Sequence, residues 1–327
     1  MKIGIIGAGA WGTALAQVAA ANGDPVLLWA FEDEVVQAVN DTHCNSIYLP
    51  DNLLSPVIQA TSDLSDLSTC DALLVVTPAQ HLGAILGQAP VGDKPLILCS
   101  KGIEAGTQRL MSEVASDVHP DAPIAVLSGP TFAHEVAAGL PTAVTLACTD
   151  MALGEAIATR LARPQFRPYL SDDVIGAEIG GAIKNVLAIG CGVVEGAGLG
   201  QNARAALISR GFAEMTRFGL ARGARVETLA GLSGLGDLVL TCSSVNSRNF
   251  SFGKGLGEGR AVAQLLADRR SIAEGAFTAP VLQAAARQAG VDMPITDAVC
   301  ALLSGALSAP EVVDALLARP LRKEHVH

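Results

Sequence analysis

The stretch that decides the fold is the first, "MKIGIIGAGAWGTALAQVAAANG", residues 1–23. A short apolar run, "KIGII", leads into Gly7, Gly9 and Gly12, and a helix-favouring segment, "WGTALAQVAAA", follows them. Glycine at those three places serves a tight turn, close approach of backbone to a ligand, and tight packing of the helix on the strand. A helix N-terminus opening there presents free N–H groups and a positive dipole end to a phosphate. The pattern predicts a strand–turn–helix unit that holds an adenine dinucleotide. One lysine followed by an apolar stretch also imitates a signal peptide, but the glycines and the strand-like start oppose that. The expectation is a soluble, unprocessed chain without membrane insertion, located in the cytoplasm.

Further along, "PVLLWA", "ALLVVTP", "PLILCSK", "IAVLSG" and "TAVTLAC" repeat the theme of short apolar runs bounded by Gly, Pro, Asp or Ser. Continuous apolar strands separated by helical segments predict a parallel sheet covered on both faces. "RPQFRPYLSDD" carries one last short strand, after which the β-runs stop. Helical stretches are predicted at 174–198, 203–222, 259–269, 279–289 and 310–318. The expected architecture is α/β: a doubly wound Rossmann-like sheet over 1–171, then an all-α substrate and catalytic domain over 172–327. The end, "ARPLRKEHVH", reads as a solvated tail.

Composition narrows the function. With 327 residues, half of them apolar and 17 % charged, the chain can bury a large core. A net charge of -10 without a basic stripe excludes nucleic acid as a natural partner. Seven scattered cysteines without a CxxC pair suggest neither a disulfide framework nor a metal site.

Cations are scarce, and their places therefore carry weight. Lysine occurs only at 2, 94, 101, 184, 254 and 323, against sixteen arginines. Lys101 follows a predicted strand, at the end of the sheet where doubly wound folds bind ligands. Lys184 lies on a ridge spaced by four, Gly176, Gly180, Lys184, Ala188, Gly192, Gly196, whose other members are all small. Each helical glycine costs about 1 kcal/mol against alanine, so the ridge needs a compensating close approach. Helix context admits two readings of Lys184: a desolvated amine suited to proton exchange, or a buried stem whose amine snorkels to water. Lys254 reads as a surface residue. Past the second strand stand Phe31, Glu32 and Asp33, where an acid would bind a ribose 2′-OH and an arginine a 2′-phosphate. The acids lean towards NAD over NADP, though helix N-terminal charge explains them as well.

Eight segments together resemble one family. "GAGAWGTALA" (7–16), "YLP" (48–50), "SKGIE" (100–104), "SGPTFAHEVA" (128–137), "AIKNVLAI" (182–189), "GLSGLGDLVLTC" (231–242), "SRNFSFG" (247–253) and "EGAFTA" (274–279) occur in order across nearly the whole chain. They are similar to those of the bacterial NAD(P)-dependent glycerol-3-phosphate dehydrogenases. The resemblance implies hydride transfer between NAD or NADP and C2 of glycerol 3-phosphate, giving dihydroxyacetone phosphate, in the supply of phospholipid precursors.

By matching positions, it implies Lys184 as proton donor and acceptor, with Asp237 and Lys101 also catalytic. Substrate contacts implied are Lys101, Gly129, Thr131, Lys184, Asp237, Ser247, Arg248 and Asn249. Cofactor contacts implied are Gly7, Gly9, Ala10, Trp11, Gly12, Phe31, Lys101, Ala133, Arg248, Ile272 and Glu274. Asp237 would orient Lys184 or accept from a substrate hydroxyl. The family commonly has serine at the place of Ala10, arginine near Phe31 and lysine at the place of His134. Apolar helices in the second half leave room for a homodimer.

Overall fold

The computed structural model describes residues 1–267 and 273–318. Its strands are β1 (Ile3–Ile6), β2 (Val26–Trp29), β3 (Cys44–Asn45), β4 (Leu49–Leu53), β5 (Ile58–Thr61), β6 (Ala72–Val75), β7 (Leu96–Leu98), β8 (Ile124–Ser128), β9 (Thr142–Cys148) and β10 (Phe166–Ser171). Eight of them form one sheet in the order β10-β9-β8-β7-β6-β1-β2-β5, and β3 pairs with β4 in a separate hairpin. The six apolar runs and the last short strand all became strands of the large sheet.

Helices between the strands cover both faces. They are α1 (Ala10–Ala20), α2 (Asp33–Thr42), α3 (Leu82–Leu86), α4 (Met111–Val118), α5 (Ala133–Ala137) and α6 (Met151–Leu161). Because side chains alternate along a strand, the sheet feeds two cores. Ile3, Ile5, Ala72, Leu74, Ile97 and Leu127 pack with residues of α1, α2 and α6, whereas Ile6, Leu73, Val75, Leu96 and Leu98 pack with α3 and α4. The doubly wound arrangement follows from central strands that are buried on both faces.

Two features depart from expectation. β8 and β9 run antiparallel, with Leu127 opposite Leu146, and β10 is parallel to β9, so the last two strands oppose the other six. The link between β8 and β9 holds only the five-residue α5, about 7 Å of helix, too short to carry the chain back along a strand. Strand direction leaves no trace in a run of apolar residues. β5, "IQAT", and the β3–β4 hairpin were also not anticipated, because edge and hairpin strands lack the buried apolar run.

Helices dominate the remainder: α7 (Val174–Gly196), α8 (Gly200–Ala221), α9 (Val226–Leu229), α10 (Asp237–Cys242), α11 (Arg248–Gly257), α12 (Val262–Leu266), α13 (Glu274–Gln288), α14 (Pro294–Leu303) and α15 (Ala309–Leu317). Compactness divides the chain beyond the last strand. One unit comprises Met1–Ala182 with Gly219–Leu240, the other Ile183–Phe218 with Thr241 onward. Among the described residues α7 alone is long and apolar enough to cross a membrane, but 89 % of its most apolar window is buried inside the protein.

The glycine ridge on α7 finds its reason in protein packing. A methyl on Gly180 would lie 2.2 Å from Ser233 O, in the first unit. In the second unit, a methyl on Gly192 would lie 2.1 Å from Phe250 O, and one on Gly196 2.1 Å from Lys254 O. Glycines of α11 answer them: methyls on Gly253 and Gly257 would lie 2.0 Å from Ile189 O and 2.3 Å from Val193 O. The two helices thus meet backbone to backbone, and α11 makes the close approach that the ridge requires at Gly192 and Gly196. Gly192→Ala should lower stability by about 1–3 kcal/mol despite alanine's better helix propensity, since a backbone carbonyl cannot turn away. Urea unfolding measures this; an unchanged midpoint would contradict the close approach.

Candidate active site

β1 ends in the glycine loop, and the loop geometry matches a dinucleotide cradle. Gly7 has φ +115°, and a methyl there would meet Val76 O at 2.9 Å. At Gly12 a methyl would lie 1.8 Å from Gly7 O, so only glycine lets α1 pack on the loop. Gly9, by contrast, has nothing within 4 Å of its absent Cβ. The backbone is bare on that side, and Gly9 caps α1 without a side-chain hydrogen bond or an acid in the first turn. Free N–H groups at a helix start beside open backbone suit an anionic pyrophosphate. The Trp11 Nε1 and the Thr77 Oγ1 are buried without a protein partner, two further polar groups at the same end of the sheet. Ala10, Trp11 and Ala133 pack, partly buried, on the core beneath. The residues present therefore fit the cofactor, NAD or NADP.

Phe31 is 81 % exposed just past β2. Beside it Glu32 occupies the N-cap of α2, and its Oε1 accepts a hydrogen bond from the Tyr48 hydroxyl at 2.8 Å. That bond holds the Tyr48 proton, raising its pKa above the ordinary phenol range.

Across the sheet's carboxyl end the structure assembles a second group in the same unit. Lys101 Nζ donates to Asp237 Oδ2 at 2.7 Å, with the Asp237 side chain fully buried and that of Lys101 15 % exposed. Lys101 Nζ also reaches Gly129 O at 3.4 Å, and Thr131 Oγ1 donates to the same carbonyl at 3.3 Å. Asp237 opens α10 directly after a π-helical turn, Leu232–Gly236. A methyl on Gly234 in that turn would lie 1.9 Å from Leu229 O, so "GLSGLGDL" is glycine-rich in order to fold tightly. Gly181 leaves room for the Lys101 stem, a methyl there lying 3.2 Å from its Cγ. Lys101, Gly129, Thr131 and Asp237 are thus brought together. Asp237 forms an ion pair with Lys101, a partner that the sequence had not named for it.

In the other unit, Lys184 and Asn185 are 6 % and 7 % exposed on α7. Asn249, a buried residue, accepts from Gly275 N through its Oδ1 at 2.8 Å, and its amide NH2 is the donating end. Gly275 itself lies against Asn185, since a methyl there would sit 2.5 Å from Asn185 O. Ser247 is the N-cap of α11, its Oγ accepting from Phe250 N at 3.2 Å, and Arg248 is exposed on the first turn. Glu274 heads α13. Ile272 lies outside the described residues. Lys254 is half-buried, and its ammonium pairs with Glu258. His134 is exposed and stacks on Phe132.

Several polar residues escaped the sequence reading. Ser128 and Ser233 bury hydroxyls without a protein partner. Asn45, wholly buried, donates to Ala8 O in the glycine loop at 2.8 Å. Glu178 caps α4 through Ser112 and Glu214 caps α14 through Ile295 and Thr296, and burial pushes both carboxyls up to about 7. A glutamate inside an apolar helix was the one available signal for the last two. Nothing local announces the others.

Comparison with known proteins covers both halves. Residues 2–154 match the family model described as NAD-dependent glycerol-3-phosphate dehydrogenase N-terminus, and 173–314 match that of its C-terminus. The NAD(P)+ glycerol-3-phosphate dehydrogenase 1 of Sphingopyxis alaskensis is 64 % identical over 323 residues, covering 99 % of this chain and 98 % of that protein. The Erythrobacter litoralis NAD(P)+ enzyme is 65 % identical over 324 residues, again covering 99 % and 98 %. A crystal structure of glycerol-3-phosphate dehydrogenase from Coxiella burnetii superposes with a TM-score of 0.93 at 39 % identity, over 97 % of this chain and 99 % of that one. The glycine loop and the "SKGIE", "KN", "GLGDL" and "SRN" segments thus lie in a protein that belongs to the NAD-dependent glycerol-3-phosphate dehydrogenase family.

Proposed function

We propose that the protein interconverts sn-glycerol 3-phosphate and dihydroxyacetone phosphate, and that it supplies glycerol 3-phosphate for glycerophospholipid synthesis. The observation that carries this reading is the meeting of Lys101, Gly129, Thr131 and Asp237 at the end of a sheet that also carries a bare glycine loop. An acidic chain with six lysines has concentrated a cation where an anionic substrate and a dinucleotide would both need one. When bound, NAD(P)H supplies the hydride for C2.

The side chains then divide the work. Lys184 donates the proton that the C2 oxygen takes up as ketone becomes alcohol, and accepts it in the reverse direction. Its ammonium charge stabilises the developing alkoxide. Arg248 binds phosphate oxygens with two parallel donors, while Asn249 adds its NH2 group and Ser247 a hydroxyl hydrogen. Lys101, held by Asp237, contacts substrate and cofactor, with Gly129 and Thr131 on the substrate beside it. Gly7, Gly9, Ala10, Trp11, Gly12, Phe31, Ala133, Ile272 and Glu274 serve the cofactor, and Arg248 reaches it as well. Residues 1–171 serve chiefly the dinucleotide, and 172–327 the chemistry. The working form is a cytoplasmic homodimer that does not insert into membrane.

Oxidation of NADH and of NADPH, followed with dihydroxyacetone phosphate and with unphosphorylated dihydroxyacetone, tests the reading. Turnover confined to the phosphate ester is expected. Absence of turnover with it would defeat the assignment.

A further inference from the structure

Residues 3–93 contain neither lysine nor arginine. The segment that builds the glycine loop, β2 and α2 therefore has only His43 and His81 as basic side chains. A phosphate on the adenosine ribose would need an arginine or lysine at the end of β2, and what stands there is Glu32, followed by Asp33 and Glu34 in the first turn of α2. A dianion brought to three carboxylates is repelled, whereas a ribose hydroxyl can donate to one of them.

Glu32 is also held in place. Asn45 Nδ2 donates to Ala8 O and to Thr13 Oγ1, each at 2.8 Å, which ties the β3–β4 hairpin to the glycine loop. Asn45 Oδ1 accepts from Tyr48 N at 3.1 Å, and the Tyr48 hydroxyl donates to Glu32 Oε1 at 2.8 Å. A continuous hydrogen-bonded chain thus runs from the pyrophosphate loop through Asn45 and Tyr48 to Glu32. One oxygen of Glu32 is engaged by the phenol, and the carboxylate keeps its second for a ribose hydroxyl.

We propose that Glu32, positioned by Tyr48, discriminates at the ribose 2′ position and makes this enzyme selective for NAD(H) over NADP(H). The proposal rests on the dehydrogenase reading and narrows its cofactor to one of two. Tyr48 is a positioning residue, and Asn45 fixes the distance between the phosphate-binding and ribose-binding ends of the site.

The test compares kcat/KM for NADH and NADPH, with dihydroxyacetone phosphate, in the parent enzyme and in the Glu32→Gln and Tyr48→Phe variants. The parent should prefer NADH by about tenfold or more, the scale of one charge-assisted hydrogen bond. Glu32→Gln should bring the ratio near unity, mainly through a lower KM for NADPH. Tyr48→Phe should narrow it several-fold, through KM more than kcat. A parent that uses NADPH as well as NADH, or a Tyr48→Phe ratio equal to the parent's, would overturn the proposal. Fluorescence titration of the unreacted protein with each dinucleotide reads the same ratio without turnover. A lost reaction with a retained NADH preference in binding would count against the activity and for this inference.

Discussion

Lys184→Ala should lower kcat by about 10² or more while leaving NADH binding intact. Truncation removes both the proton source for the C2 oxygen and the positive charge that meets the developing alkoxide, two effects felt only at the transition state. Dinucleotide affinity should be spared, because the glycine loop owes its shape to contacts among Gly7, Gly12 and Val76. Steady-state kinetics beside an NADH titration separate the two quantities. Lys184→Arg keeps a charge but holds its proton too tightly to exchange it, so it should restore little of the rate. A Lys184→Ala enzyme with the parent's kcat would remove the residue from its role.

The second large effect belongs to the Lys101–Asp237 pair. Asp237→Ala leaves the Lys101 ammonium 15 % exposed and without the carboxylate that now sits 2.7 Å away. Removing one member of a buried pair costs about 3–5 kcal/mol, because the remaining charge is uncompensated. We therefore expect a large drop in the urea midpoint together with a fall in kcat/KM, as Lys101 loses its fixed direction. Replacing both partners, Lys101→Met with Asp237→Leu, should recover much of the stability and none of the activity. That contrast distinguishes a pair that merely holds the fold from one that also serves the site. Equal stability of Asp237→Ala and the parent would show that the pair contributes nothing.

Much of the architecture was legible in local pattern. Strands such as "KIGII" and "ALLVV" announce themselves because both their faces are buried, and α7 does so through its length and apolar spacing. The glycine loop was legible because its three positions have separate steric duties; the structure shows close protein contacts at Gly7 and Gly12 and open backbone at Gly9. β5 and the β3–β4 hairpin were not, since an edge strand can be polar on one face and still pair. The ridge on α7 was legible as a place of close approach, but not that α11 fills it at Gly192 and Gly196. A helix reports that something must come near it; it does not report what.

The sequence alone therefore determined the local steps: where the chain extends, coils and turns, and which residue types are chemically unusual for their surroundings. Family resemblance named the candidate residues one at a time. Only the tertiary structure decided their partners. Lys101 and Asp237 lie 136 residues apart, and Glu32 and Tyr48 sixteen apart across a helix and a hairpin. Strand and helix leave a period in the sequence because each residue is set by its near neighbours. An ion pair or a buried hydrogen bond leaves none, because its energy depends on groups that only folding brings within reach.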